Sequence, residues 1–338
     1  MATTHDQPQL PPTLFTPSPT ESHREILRIL SEHPPDTITI IAIGPLTNLA
    51  LAASESPTTL LRAKAVLVMG GAIFCPGNIT PVGEFNALAD AYAAARVFAL
   101  TSQDPASTMP PAPPPTVSVD GNVTSPSRSL PPYPARHILG ARRLNLILFP
   151  LDLTTGHTLR REEFVAKTEG LIKNGSPLAE WMTAFLTSTF QTVETLQEGH
   201  EKNGKGTFTS LHDPACVWYA MSHDDETEEL SLSSSSSTNE SQSQSPSQSQ
   251  SPPNPKWTIT PPEDIRIETQ GQWTRGMCVI DRRDRKKLED DHSEEGSVVQ
   301  TDHGGWLKRG KGNRVRRCVG TPGERVLAKV MLERIFGG

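Results

Sequence analysis

Long apolar runs are missing from this 338-residue sequence, and none approaches the roughly twenty uninterrupted apolar residues that a membrane helix needs. No membrane partner is expected. Met1 to Pro19 holds no apolar core of the signal-peptide kind, so the default compartment is the cytoplasm. Without a secretion signal, the Asn-x-Ser/Thr matches at Asn78, Asn122, Asn174 and Asn239 carry no glycosylation expectation. Excess positive charge is missing too. A net charge of -6 and a pI near 5.9 argue against a chain that coats nucleic acid or an anionic membrane. Cysteine is scarce: Cys75, Cys216, Cys278 and Cys318 include no pair at zinc-ligand spacing, and a reducing compartment keeps them as thiols. Also absent are a Gly-x-Ser-x-Gly elbow, a Walker phosphate loop and a paired-histidine zinc helix. These absences leave a small neutral or polar substrate as the best fit.

Proline and serine are abundant and cluster in stretches that cannot supply a core. Ser102 to Arg136 contains Met109-Pro110-Pro111-Ala112-Pro113-Pro114-Pro115 and reads as an extended loop. Glu226 to Pro255 carries a serine run and alternating Ser-Gln, with too little apolar surface to offset its ordering entropy. Arg282 to Arg317 mixes acidic and basic runs and reads as a third surface insertion, the basic run Lys308 to Arg317 being a solvated loop rather than a nucleic-acid site. Residues 1–21 read as a tail and 22–336 as one interrupted domain.

Between the insertions, helix and strand signals alternate, the pattern of a largely parallel α/β sheet flanked by helices. Ser22 with Glu25 makes a capping box before the apolar face Ile26, Leu27, Leu30. Thr37 to Ile43, Ala65 to Met69 and Leu144 to Phe149 read as strands; Leu46 to Ala53 and the alanine-rich Asp90 to Leu100 read as helices. Glu162 to Lys173, Pro177 to Leu196 and Gly323 to Phe336 carry helical periodicity. His212-Asp213-Pro214 opens another helix with Asp213 as its cap, and Ile265 to Ile280 reads as two strands around Gly271.

The informative block runs Ile41-Ala42-Ile43-Gly44-Pro45-Leu46-Thr47-Asn48-Leu49-Ala50, then Val68-Met69-Gly70-Gly71-Ala72, Gly77-Asn78 and Glu84-Phe85-Asn86. Leu151-Asp152-Leu153-Thr154, His212-Asp213-Pro214 and Thr274-Arg275-Gly276-Met277 follow it. In order and spacing these motifs resemble the calcium-dependent nucleoside hydrolase family. Six ordered matches are far more specific than any one, because each residue alone has an ordinary explanation. Met69 alone reads as core, Glu84 and Asn86 as loop polar groups, Asp213 as a helix cap and His212 as a surface histidine.

The resemblance implies a single domain with a mostly parallel, mixed sheet, and hydrolysis of the N-glycosidic bond of purine or pyrimidine ribonucleosides. Ligands in such sheets sit beyond the carboxyl ends of strands, where Gly44, Gly70, Gly71 and Asp152 all lie. By resemblance, Asn78, Glu84 and Asn86 hold ribose hydroxyls, and Met69 packs by the sugar. Asp213 and the Ile43 carbonyl belong to a Ca²⁺ site that orients water, and His212 stands near the leaving base as its acid. Dimers or tetramers are also suggested.

One family motif is not found. Members begin with a strand ending in an aspartate cluster, Asp-Thr-Asp-x-Gly-x-Asp-Asp, which supplies most calcium ligands; before the Ser22 helix the only acidic residues here are Asp6 and Glu21. Calcium takes roughly six to eight oxygens, so the expectation is weak or absent activity, from a chain that begins late in the fold. After Asn86 the family's Asp-Pro-Glu-Ala-Ala is replaced by Asp90-Ala91-Tyr92-Ala93-Ala94. The alternative expectation is a noncatalytic relative that binds ribose-like ligands or a protein partner.

Overall fold

The alternation of apolar runs and amphipathic stretches becomes a layered α/β architecture in the computed structural model, which describes residues 16–111, 126–134, 136–196, 207–223, 256–287 and 302–337. α1 (Ser22–Glu32) leads to β1 (Thr39–Ala42), α2 (Thr47–Glu55), α3 (Pro57–Leu60), β2 (Ala65–Met69), α4 (Phe85–Ala89) and α5 (Ala91–Ala99). Then come α6 (Arg136–Leu139), β3 (Leu146–Phe149), α7 (Leu151–Thr154), β4 (Thr158–Arg160), α8 (Arg161–Lys173), α9 (Pro177–Leu196), β5 (Phe208–Ser210) and α10 (His212–Ser222). β6 (Thr258–Ile259), β7 (Arg266–Ile267), β8 (Cys278–Val279), β9 (Arg316–Gly320) and α11 (Val326–Phe336) complete the described elements.

The main sheet has the order β1-β2-β3-β9-β6. Its first four strands run parallel and β6 pairs antiparallel with β9, so the expected mostly parallel mixed sheet is the observed one. β7 and β8 pair antiparallel around Gly271, as the sequence suggests. Strands β2 and β3 are buried along their whole length, which is why they read as uninterrupted apolar runs. On one face Val66, Val68, Leu146 and Leu148 pack with Leu49, Ala50 and Ala53 of α2 and Ala93, Ala94 and Val97 of α5. Alanine there lets both helices lie close to the sheet. On the other face Leu67, Met69, Ile147 and Phe149 pack with Cys216 and Tyr219 of α10. The rings of Phe149 and Tyr219 meet edge-on at 5.3 Å.

Several local expectations change. Ser22 is the first residue of α1 rather than its cap, Glu21 occupies the cap position, and no side chain caps that end. Glu25 is engaged instead by Arg28, whose Nε donates to it at 2.8 Å. Asp213 is likewise inside the first turn of α10, because Leu211 takes the cap position. The basic run from Lys308 ends in sheet rather than loop: Arg316 and Arg317 start β9, with Arg317 donating to Glu263 and Arg316 to Asn145. The proline-rich stretch also packs where it is described. Arg96, buried in α5, donates to the Leu130 and Pro131 carbonyls, and Tyr133 covers its guanidinium. The middle of that stretch, and residues 226–255, lie outside the described residues.

Candidate active site

The site forms where β2 and β3 end. Gly70 donates to the Phe149 carbonyl at 3.2 Å, and Leu151 donates to that of Gly71 at 2.9 Å, so the two strand ends stay tied as the chain turns away. Gly71 has φ +78°, and a Cβ there would come within 2.6 Å of the Cys278 sulfur. Only glycine fits this crossing.

Glu84 is 1% exposed and sits at the cap position of α4. Its Oε1 accepts from the Asn86 amide at 2.9 Å; its Oε2 accepts from Gly71 at 2.8 Å and Ala87 at 3.1 Å. One carboxylate thus satisfies two free amides of the helix start and pins the strand end against it. Asn86 is buried beside it, and its Nδ2 donates to the Met69 carbonyl at 3.0 Å and approaches the Met69 sulfur at 3.4 Å. Its Oδ1 has no partner among the described residues and is free to accept a hydroxyl. Asn78, exposed on the loop before α4, accepts from the Phe85 amide at 2.9 Å through Oδ1.

Two further loops brace this arrangement. Gly83 forms an antiparallel bridge with Met277, and a Cβ on Gly276 would fall 2.7 Å from the Leu88 Cα. The Thr274-Arg275-Gly276-Met277 motif therefore supports α4 from behind rather than facing ligand. Asp152, in α7, accepts from the amides of Ile73 at 2.9 Å and Phe74 at 2.7 Å, fixing the start of the loop that carries Asn78.

The N-terminus of α10 enters from the other side, where the helix packs against β1 and β2. The His212 Nδ1 lies 2.8 Å from Thr154 Oγ1, and burial pushes the imidazole pKa below its ordinary value. Asp213 has no hydrogen-bond or ion-pair partner among the described residues. Solvent reaches it, yet loss of water on its protein side raises its pKa, and the Glu84 carboxylate adds to the rise. Ile43 follows the last residue of β1 at the same rim and is half exposed.

Asn86 therefore touches both Met69 and Glu84, the Asp213 and Glu84 charges act on each other, and His212 and Ile43 lie at the ends of α10 and β1, which pack together. Asn78 joins through the first amide of α4. Thr154 and Asp152 lie inside a quoted motif, but the sequence assigned them no role; their partners come from distant segments. Cys278, beneath Gly71, carries no sequence signal at all.

These residues do not fit a calcium ion by themselves. Glu84 is committed to three backbone amides, which leaves Asp213 as the uncommitted carboxylate, and no group of three or more His, Cys, Asp or Glu side chains suited to a metal occurs among the described residues. Calcium takes roughly six to eight oxygens. No described helix is long and apolar enough to cross a membrane.

Comparison with known proteins agrees with the motifs. An uncharacterised protein of Schizosaccharomyces pombe is 48% identical over 73 residues, 22% of this chain and 24% of the relative. A probable uridine nucleosidase of Oryza sativa is 39% identical over 90 residues, 25% of this chain and 28% of the relative. These alignments span about a quarter of the curated relatives' length. A solved plant nucleoside hydrolase shares the fold, with TM-score 0.57 and 16% identity over 98% of this chain and 72% of the other. The profile of the inosine-uridine preferring nucleoside hydrolases matches residues 3–304, and the chain belongs to that family.

Proposed function

We propose that this chain is a nucleoside N-ribohydrolase that cleaves the bond between ribose and a purine or pyrimidine base. The observation that carries the proposal is geometric: Glu84 accepts from Gly71 and Asn86 donates to the Met69 carbonyl at the end of β2, and α10, which opens with His212 and Asp213, packs against that same strand. The chemistry on offer suits a sugar. The Asn86 Oδ1 is an open acceptor and the Asn78 amide nitrogen an open donor, a combination that matches ribose hydroxyls. Met69 gives the sugar an apolar wall.

Glycosidic cleavage passes through an oxocarbenium-like state, so positive charge grows on the sugar as the bonding pair leaves with the base. An uncommitted carboxylate at Asp213 stabilises that charge. The departing nitrogen needs a proton, and His212 is the titratable donor beside Asp213 at the rim. Water adds to the sugar carbon and gives up a proton, which balances the one delivered to the base. The net charge of -6 favours a small nucleoside over nucleic acid as ligand.

The test is base release from a panel of inosine, uridine, adenosine and cytidine, followed chromatographically with added calcium and with a chelator. Release that disappears in His212→Ala and Asn86→Ala supports the proposal. A second reading, ribose binding without turnover, is favoured by the absence of a metal-competent cluster among the described residues. Calorimetric binding of a nucleoside with no base released under either condition would establish it and sink the hydrolase.

A further inference from the structure

We infer that Thr154 is a positioning residue for His212, holding neutral imidazole with Nδ1 turned towards the buried hydroxyl as an acceptor and the proton on Nε2. This rests on the role of His212 just proposed, and it adds a residue to that machinery. Thr154 is fully buried at the end of α7, with Oγ1 2.8 Å from His212 Nδ1 and 3.2 Å from the Pro150 carbonyl. A hydroxyl has one proton, so it can donate to only one of them.

The surroundings decide which. The Pro150 carbonyl already accepts from the amides of Leu153 and Thr154, both at 3.0 Å, and these occupy its two lone pairs. The shorter contact, to the imidazole, is the open one. Thr154 O–H therefore donates to Nδ1, and in the neutral ring Nε2 keeps the hydrogen. A histidine held by nothing but packing would lack this orientation.

The experiment is nitrogen-15 NMR of histidine-labelled protein without substrate at about pH 9, where an imidazole of ordinary pKa is neutral. The His212 signals are assigned by their loss in His212→Gln. The wild type is expected to show Nδ1 as a pyridine-type nitrogen moved upfield by an accepted hydrogen bond, and Nε2 as a protonated one. Thr154→Val, nearly the same shape without the hydroxyl, should move Nδ1 downfield, and Thr154→Ser should bring it back. A protonated Nδ1 in the wild type overturns the assignment, whether or not the valine variant folds. So does an unmoved Nδ1 in a folded Thr154→Val, or a serine variant that does not restore it. Because no substrate is present, a failure to release base leaves this result standing, and a wrong tautomer leaves the hydrolase proposal open to its own test.

Discussion

Replacing Glu84 by glutamine removes one acceptor without changing shape, and the consequence can be worked from three distances. The carboxylate accepts from Asn86 on one oxygen and from Gly71 and Ala87 on the other, at 2.9, 2.8 and 3.1 Å. A glutamine amide can present its oxygen to one side only. Whichever way it turns, at least one buried N–H then faces an NH₂ group, and the remaining bonds lose their charge assistance. Hydrogen bonds to charged groups contribute about 1.5–3 kcal/mol each, so the total cost should be about 2–4 kcal/mol. In urea unfolding, with an m-value of about 3 kcal/mol per molar, the midpoint should fall by about 1 M at unchanged slope. The Gly71 and Asn86 amides should also lose protection in hydrogen exchange. A midpoint within about 0.2 M of wild type would refute the reasoning, since it would mean the three amides are satisfied some other way.

Gly71→Ala combines a positive φ with overlap at 2.6 Å on the Cys278 sulfur, and should cost about 2–4 kcal/mol by thermal unfolding. Adding Cys278→Ala should recover the steric part and leave about 1 kcal/mol of backbone strain. His157 is fully buried and its pKa is lowered chiefly by that burial, so the unfolded chain takes up its proton first. Stability from this group is complete above about pH 6.5 and falls as pH drops towards the lowered native pKa. A stability-versus-pH series should show that slope, and His157→Phe should reduce it, His212 accounting for the remainder in the same direction. Asp213→Asn should change stability by less than about 0.5 kcal/mol, since the carboxylate has no partner among the described residues, while base release falls on the order of 100-fold.

The parts of the fold legible in the sequence are those whose burial follows one simple period. β2 and β3 bury both faces, so Ala65–Met69 and Leu146–Phe149 stand out as apolar runs. α5 was legible through its alanines, and Asp90 proves to be its cap, accepting from Ala93 at 3.0 Å and from Thr47 at 2.6 Å. β9 was not legible, because its two arginines look like loop until Glu263 and Asn145 are known to meet them. Asp213 as a cap was a sound local expectation that tertiary packing overrode: with Leu211 taking the cap position, the carboxylate is left without a backbone partner. The motifs fall at one rim because parallel strands deliver their ends there. The bonds that hold the site together run between segments far apart in sequence, and no spacing rule reveals them.

Glu84 and Asp213 illustrate why motif membership and chemical role must be separated. Two residues apart, Glu84 and Asn86 look like a ligand pair, yet that spacing also lets a cap carboxylate reach the amides of the helix it begins. A loss of activity in Glu84→Gln would therefore follow from a loosened Asn86 even if Glu84 never met a sugar. The discriminating quantity is the ratio of the two effects. For Glu84 the change in activity should track the change in stability, and a charged replacement of the right length should restore both. For Asp213 activity should fall while stability stays put. If Asp213→Asn instead unfolded the protein as readily as Glu84→Gln, the carboxylate would have to be a hidden part of the scaffold, and the stabilising charge assigned to it in the reaction would lose its basis.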